Sequence, residues 1–293
     1  MNISLNRQIA SKLRQAGDLL QLQGANPFRA NAYRRAADTV SGLDRELNKI
    51  VALEGLEGLI ALPNIGRGIA AAIYEILHTR RWSKLERLRG TLDPERLFQA
   101  VSGIGPELAK RIHDTLDIDT LEGLETAAHD GRLQTVMGIG PRRAAAVRAI
   151  LNNMLGRLFQ PRLDPLEGPG VPELLKVDRE YRRRSSTGEL PTIAPRRFNP
   201  TNEAWLLILH TRQGEWNFTA LYSNTARAHD LGRTHDWVVV YFYDQDHREG
   251  QHPIVTETRG PLVGRRVVRG REFQCRAHYA NPSKKKLGKS QKA

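Results

Sequence analysis

The amino-acid sequence predicts an α+β multidomain protein, in which an all-α N-terminal region precedes a small, mainly antiparallel β domain. Residues 1–156 carry apolar residues at helical spacing and a turn motif that occurs three times, whereas residues 203–280 contain short β-branched and aromatic runs. Residues 157–202 are rich in proline and arginine and predict a mostly irregular linker, with a short helix near Glu173–Arg184. The lysine-rich residues 281–293 predict a disordered basic tail.

The composition indicates an anionic partner. The 293 residues carry a formal net charge of +13, which favours nucleic acid first and a membrane surface second. The sequence contains no run of about 18 apolar residues, so no membrane span is predicted. Residues 1–12 lack the apolar core of a signal peptide. The single cysteine, Cys275, permits neither an internal disulfide nor a cysteine metal cluster. We expect a cytoplasmic, nucleoid-associated protein with DNA as its partner, no membrane contact and no small-molecule substrate.

Much of this charge lies outside the two predicted domains. Residues 1–156 contain 21 basic and 17 acidic residues, and residues 203–280 contain 10 and 9. Residues 281–293 contain five lysines and no acidic residue. DNA binding by the folded regions therefore needs directed hydrogen-bond donors and cannot depend on net charge alone.

Two helices are predicted at the start of the chain. Apolar residues recur at spacings of three and four over residues 3–22 and predict an amphipathic helix. Gly24 and Asn26 interrupt this pattern, and Pro27 can begin a second helix that runs to about Val40.

A short turn motif then occurs three times, each time between two helical stretches. The copies are Leu62-Pro-Asn-Ile-Gly, Val101-Ser-Gly-Ile-Gly and Val136-Met-Gly-Ile-Gly. Glycines permit positive φ and a close approach of another backbone, and the free N–H groups of the following helix suit a phosphate. The isoleucine of each copy is expected to point inward. The same glycines could simply end helices in a bundle, but three copies in a basic chain favour helix-hairpin-helix units that bind phosphate.

The predicted DNA contacts are the hairpin glycines and the basic residues in the first turns of the following helices. They are Gly66, Arg67, Gly68, Gly103, Gly105, Lys110, Gly138, Gly140, Arg142 and Arg143. Each basic residue could instead be part of a solvated helix face. Backbone donors and phosphates carry no base code, so little sequence preference is expected.

On these motifs, residues 1–155 resemble the N-terminal region of family X DNA polymerases, the DNA polymerase beta type, and the third hairpin is closer to bacterial members. The stretches that carry the resemblance are Gln23–Arg29, Asn31–Ala37, Leu62–Gly66, Trp82–Glu86 and Val101–Pro106. The resemblance implies a 5′-phosphate pocket formed by Arg29, Tyr33 and Lys84. It also implies that hairpin carbonyls hold Na⁺ or K⁺, and the matching carbonyls are those of Ile60, Leu62, Ile65, Gln99, Val101 and Ile104. No other cofactor is expected.

Two departures from that family imply that its enzymatic activities are absent. The lysine that forms a Schiff base in the eukaryotic members is replaced by Ala72, which offers no amine, and a neighbouring phosphate-binding lysine is replaced by Gly68. The Gly-Ser-x-x-Arg-Gly stretch of the polymerase catalytic domain does not occur. We expect neither lyase nor polymerase activity.

Five short runs predict the strands of a small antiparallel barrel or sandwich. They are Trp205–Leu209, Trp216–Tyr222, Trp237–Tyr243, Ile254–Thr258 and Leu262–Val268. Alternate acidic residues at Asp244 and Asp246, followed by His247, could bind a metal, but a polar hairpin loop explains them better. The same holds for the polar loop with His229, Asp230, His235 and Asp236.

Arginines near the end of the β domain permit two interpretations. Together with Tyr222, Tyr241 and Tyr243 they could form a surface for single-stranded nucleic acid, or they could pair with Glu257 and Glu272 in a purely structural role. The arginines are Arg259, Arg265, Arg266, Arg269 and Arg271.

These observations favour a non-catalytic, structure-dependent DNA-binding protein of DNA repair or maintenance. Two alternatives remain open from the sequence. One is a nuclease-like enzyme with its site in the β domain, and the other is an adaptor that binds a repair protein through that domain.

Overall fold

The computed structural model describes residues 5–155, 168–244 and 249–280. Its elements confirm the predicted order of a helical region followed by an antiparallel sheet. In chain order they are α1 (Leu5–Leu22), α2 (Pro27–Ser41), α3 (Leu47–Ile60), α4 (Arg67–Thr79), α5 (Ser83–Arg89), α6 (Pro94–Phe98), α7 (Pro106–Leu116), α8 (Leu121–His129), α9 (Pro141–Met154), α10 (Val171–Ser186), β1 (Thr192–Ile193), β2 (Leu206–Gln213), β3 (Trp216–Tyr222), α11 (Ala226–Asp230), β4 (Val238–Tyr243), β5 (Glu249–Thr256), β6 (Arg266–Val268) and α12 (Glu272–Ala280). Short 3₁₀ turns lie at Arg132–Thr135 and Gly260–Leu262.

Helices α1 and α2 are the two helices predicted at the start of the chain, and they pack against each other. The Asn26 side chain caps α2 by accepting from the Phe28 N–H at 3.0 Å, and Pro27 occupies the first turn. The two helices approach closely at Gly17, where a Cβ would lie 2.8 Å from the carbonyl oxygen of Ala30. Together with α3–α5 they form the first helical unit, residues 5–89.

The second and third hairpins form a separate unit with its own apolar core. Helices α6–α9, residues 94–154, enclose a cluster that includes Phe98, Ile112, Leu124 and Leu151. We call this the tandem hairpin unit.

The sheet is a six-stranded antiparallel meander with the order β1-β2-β3-β4-β5-β6. The sequence predicted a barrel or sandwich, but the structure has one sheet with both faces covered. All of β4 is buried, which explains why its sequence is continuously apolar and aromatic and does not alternate. One face packs against α10, where Tyr181 donates to the Leu207 carbonyl and accepts from the Tyr222 N–H, both at 2.9 Å. The other face lies against the two helical units.

One apolar cluster joins the first helical unit to the sheet. It extends from Ile9 through the helices and strands to Cys275. The predicted boundary at residue 156 stays a prediction about independent folding, but the apolar cores are divided differently, near residue 90.

The segment that was predicted as a mostly irregular linker contains more regular structure than expected. Helix α10 extends the short helix that was predicted there, and its Leu174, Val177 and Tyr181 are buried. Strand β1 also lies in this segment and pairs with β2. The predicted helix is thus present and is two residues longer at each end, whereas β1, only two residues long, was not predicted.

Several predictions concern residues outside the described ranges. The basic tail, residues 157–167 of the linker and the loop residues Asp246 and His247 belong to this group. Among the described residues, no helix has both the length and the apolar character that a membrane crossing requires.

Candidate DNA-backbone interface

The three hairpin turns have one geometry. The isoleucine N–H of each copy donates to the carbonyl three residues earlier, at 3.2 Å for Ile65 and 3.0 Å for Ile104 and Ile139. The residue before each isoleucine has positive φ, which is 61° at Asn64 and 89° and 93° at the two glycines that follow in the chain. Asparagine tolerates this left-handed conformation, so the first copy keeps the turn without a glycine there. All three isoleucines are buried, as predicted.

Each turn leads directly into a helix whose first N–H groups are open to a ligand. Gly66 and Gly105 precede α4 and α7 with extended backbone, and no side chain caps either helix. A Cβ built at Gly66, Gly103, Gly105 or Gly140 would meet nothing within 4 Å. The backbone therefore faces open space where a phosphate could approach helix N–H groups and the positive end of the helix dipole.

The predicted basic contacts surround these turns. Arg67, Lys110, Arg142 and Arg143 are all exposed. In the third hairpin, Arg143 Nη1 donates to the Gly138 carbonyl at 2.8 Å, and so its guanidinium group is held at the turn.

A second arginine lies at the third turn. Arg111 Nη1 donates to the Met137 carbonyl at 2.9 Å, and it would lie 3.3 Å from a Cβ at Gly138. Sequence reasoning missed Arg111, because it belongs to α7 of the preceding hairpin.

The carbonyls assigned to a monovalent cation lie at the first two turns. Those of Leu62 and Val101 accept the turn hydrogen bonds from Ile65 and Ile104. Cation binding by these carbonyls and those of Ile60, Ile65, Gln99 and Ile104 stays a prediction.

The residues of the expected 5′-phosphate pocket come together, but the sheet covers them. Tyr33 and Lys84 are 2% and 8% exposed. The Lys84 ammonium lies 3.1 Å from Glu249 Oε2, at the start of β5. The guanidinium carbon of Arg29 lies 4.2 Å from the ring centroid of Tyr243. The expectation that this pocket is open to DNA does not hold for the described arrangement, because a carboxylate of the chain occupies the position facing Lys84.

The charges in this covered pocket are strongly coupled. Burial alone would raise the pKa of Glu249, but the neighbouring charges of Arg87 and Lys84 lower it to about 2. Arg87 pairs with the same carboxylate, and its guanidinium carbon stacks 3.7 Å from the ring centroid of Tyr241. Glu249 is therefore ionised at neutral pH and ties the sheet to the first helical unit.

The tandem hairpin unit contacts the same face of the sheet through polar groups. Tyr241 Oη donates to Asp119 Oδ2 at 2.5 Å. Gln251 Oε1 accepts from the Asp119 N–H and from Thr120 Oγ1, both at 3.2 Å. On the same face, His210 Nε2 lies 3.0 Å from Gln23 Oε1 of the first helical unit.

Two of the arginines near the end of the β domain, Arg266 and Arg269, have carboxylate partners within the protein. Arg266 pairs with Asp178 and Asp236 at 2.6 and 2.7 Å, and Arg269 pairs with Glu257 at 2.7 Å. The three tyrosines offered for single-stranded nucleic acid are all buried, so that hypothesis is wrong.

The polar loop candidates also have structural partners. His229 Nε2 lies 2.6 Å from Asn224 Oδ1, and Thr256 donates to Asp236 at 2.5 Å. Within the described ranges, no group of three or more His, Cys, Asp or Glu side chains has an arrangement that could hold a metal ion.

Exposed glycine turns that each lead into a helix, in three copies, indicate helix-hairpin-helix motifs in the N-terminal region, and comparison with known proteins agrees. A family model described as a helix-hairpin-helix domain matches residues 4–82. A model described as a SAM-like helix-hairpin-helix tandem matches residues 95–153. The two matches coincide with the first helical unit and the tandem hairpin unit.

A curated relative supports the resemblance to family X polymerases. The DNA polymerase/3'-5' exonuclease PolX of Bacillus subtilis is 27% identical over 125 residues, which are 42% of this chain and 21% of that protein. The match thus covers about a fifth of the length of that relative. The N-terminal region therefore resembles a family X polymerase, and its hairpin domains indicate DNA binding.

Proposed function

We propose that this protein binds DNA in a structure-dependent manner that is independent of base sequence, and acts in DNA repair or maintenance. The observation that carries this proposal is the set of three hairpin turns with open backbone. At each turn a glycine precedes the free N–H groups of a helix, and a Cβ there would meet nothing of the protein.

The arrangement suits the backbone of DNA and not its bases. Helix N-termini and main-chain donors bind phosphate oxygens at close range. Exposed Arg67, Lys110, Arg142 and Arg143 add charge beside these donors. Such contacts position a protein on DNA but read no sequence. In the tandem hairpin unit a shared core holds two turns in a fixed relation, which favours one particular backbone geometry.

The same proposal includes the absence of lyase and polymerase activity. Ala72 is buried and has no amine, and Lys84, the amine in the covered pocket, is held by Glu249. Borohydride trapping on DNA with an abasic site tests this point, and we expect no covalent adduct. An adduct mapped to residues 5–89 would contradict it.

The proposal includes a location with the nucleoid in the cytoplasm, where the DNA partner would be. A repair protein as partner of the β domain stays a prediction, and a pull-down with full-length protein and with a variant in that domain would test it.

The main test is a panel of fluorescent DNAs. Full-length protein is titrated with gapped, nicked, single-stranded and intact duplex DNA, each in two unrelated sequences, by anisotropy at several salt concentrations. We expect affinities that differ between structures by tenfold or more and between sequences by less than threefold. Equal affinity for all structures, or a strong preference for one sequence, would contradict the proposal.

A further inference from the structure

A cavity of about 60 Å³ lies where the first helical unit, the tandem hairpin unit and the sheet meet. Its wall includes Arg87 of α5, Asp119 after α7, Tyr241 of β4 and Arg197, which lies between β1 and β2. Much of the remaining wall is apolar, with Leu92 and Pro94 on the helical side and isoleucine, leucine and valine side chains from the sheet.

Two guanidinium groups on this wall have donors without partners. One nitrogen of Arg87 donates to Glu249, and Arg197 Nη2 donates to Glu95 Oε1 at 2.8 Å. The Nη1 atoms of both arginines are buried without a hydrogen-bond partner among the described residues. Arg87 is only 4% exposed. Buried hydrogen-bond donors without a partner are unfavourable even when the group's charge is paired, so two such nitrogens on one cavity wall point to a ligand that accepts hydrogen bonds.

The other polar groups on the wall are compatible with an anion. The carboxylate of Asp119 is engaged elsewhere, because Oδ2 accepts from Tyr241 at 2.5 Å and Oδ1 lies 3.3 Å from His113 Nδ1. Ser223 Oγ donates to Asp117 Oδ1 and also lies 3.3 Å from Thr225 Oγ1, so the described donors without a partner on this wall are the two Nη1 atoms. Guanidinium donors are typical of sites for phosphate and sulfate oxygens.

The size of the cavity restricts the ligand. One water molecule needs roughly 10–15 Å³ of such space, so about 60 Å³ admits on the order of five heavy atoms. This matches a tetrahedral oxyanion and is too small for a nucleotide.

We propose that this cavity binds one free tetrahedral oxyanion of the phosphate or sulfate class, held by Nη1 of Arg87 and Nη1 of Arg197. The ion links Arg87 of α5 to Arg197 in the segment between β1 and β2. The tandem hairpin unit supplies the remaining side of the cavity. It thereby stabilises the relative placement of the three parts. The site is separate from the backbone contacts proposed for the hairpin turns.

The test compares thermal unfolding of the full-length protein in phosphate, sulfate and chloride at one ionic strength. When the free ion concentration is ten times the dissociation constant, one bound ion raises the midpoint of thermal unfolding of a protein of this size by about 3 °C. We expect this rise with phosphate and with sulfate relative to chloride. No rise in the wild type would overturn the proposal.

Matched variants locate the effect. Arg197→Gln removes the charge, and Arg197→Lys keeps a cation beside Glu95 but lacks the second donor nitrogen of the guanidinium group. Both should lose the rise, while Arg196→Gln, at an exposed neighbouring position, should keep it. A rise that persists in both Arg197 variants would contradict the assignment.

A variant of the three hairpin turns tests whether the rise in unfolding temperature comes from phosphate bound at the turns and not in the cavity. It combines Gly66→Asp, Gly105→Asp and Gly140→Asp, so that each carboxylate caps the helix N–H groups and repels phosphate. This variant should keep the full rise in unfolding temperature. If the rise disappears in this variant, the ion binds at the turns and not in the cavity. A 5′-phosphorylated dinucleotide should give no Arg197-dependent shift, because it exceeds the cavity, and such a shift would contradict a free ion.

Discussion

The first hairpin lies in a helical unit that shares its apolar core with the sheet, whereas the second and third hairpins share a core of their own. Both units present the same exposed turn to open space. They differ in their other basic residues, because Lys84 and Arg87 of the first unit are buried against Glu249. In the tandem hairpin unit, Lys110 and Arg142 are exposed.

This difference separates two uses of positive charge in one chain. In the first unit, part of the charge holds the sheet in place and is withdrawn from solvent. In the tandem hairpin unit, exposed charge surrounds the turns and is available to DNA. A motif match alone does not distinguish these cases, because the burial of Lys84 depends on a strand that lies far along the chain.

The largest expected effect follows from removing the Glu249 carboxylate, which lies between the first helical unit and the sheet. Glu249→Gln removes the carboxylate that pairs with the buried Lys84 and Arg87, which typically costs about 3–5 kcal/mol. Urea unfolding should report this loss, and hydrogen exchange should show it in α1–α5 and the sheet before the tandem hairpin unit. A loss of less than about 1 kcal/mol in the free energy of unfolding would mean that the contacts of Glu249 with Lys84 and Arg87 do not hold the sheet in place.

Glu257→Gln is the matched control for that substitution. Glu257 pairs with Arg269, and the two side chains are 16% and 40% exposed. Removing a partly exposed pair of this kind costs about 1 kcal/mol.

A buried carboxyl group in the first unit makes its stability depend on pH. Burial raises the pKa of Glu75 to about 8, assisted by the nearby carboxylates of Glu122 and Glu249 and opposed by hydrogen bonds from Ser83. The folded state therefore binds a proton that the unfolded state releases above pH 4.5, so stability falls as pH rises from about 5 to 8.

Glu75→Gln should remove most of this slope. The amide oxygen can still accept from the Ser83 N–H, which now donates to Glu75 Oε1 at 2.8 Å. We expect a gain of at least about 1 kcal/mol at pH 8 and little change at pH 5. Denaturant unfolding across this range measures it, with Glu57→Gln on the surface as control, and a loss of stability at pH 8 would contradict the expectation.

The basic tail should contribute the smallest effect. Deleting residues 281–293 removes five lysines. Each occupied phosphate contact adds roughly 0.9 to the salt dependence of log affinity, so the slope should fall by about two to four. The ratio of affinities for gapped and intact duplex should stay unchanged. If deletion abolishes the preference for gapped DNA, the tail and not the hairpin turns recognises the DNA structure.

The sequence predicted those features that are encoded locally. The hairpin turns follow from five consecutive residues, and the burial of Ile65, Ile104 and Ile139 follows from the repeat. Strands β2–β5 were found from their β-branched and aromatic runs. Their limits were less accurate, as for β5, which starts at Glu249 and not at Ile254.

The contacts between the sheet and the helices could not be predicted in this way. Arg87 and Glu249 are 162 residues apart, and His210 and Gln23 are 187 apart. No spacing rule connects residues at such separations, and a lone glutamate beside a loop gives no indication of burial. The covered pocket and the oxyanion cavity were therefore found only from the structure.

The hairpin variant with Gly66→Asp, Gly105→Asp and Gly140→Asp tests the central claim most directly, by anisotropy on gapped DNA beside thermal unfolding. A Cβ fits at all three positions, and aspartate at an N-cap stabilises a helix, so the midpoint of unfolding should not fall. We predict that DNA affinity drops at least tenfold, while Gly42→Asp, at an exposed glycine outside the turns, changes it less than threefold. Unchanged DNA affinity in a folded hairpin variant would contradict backbone binding by these turns.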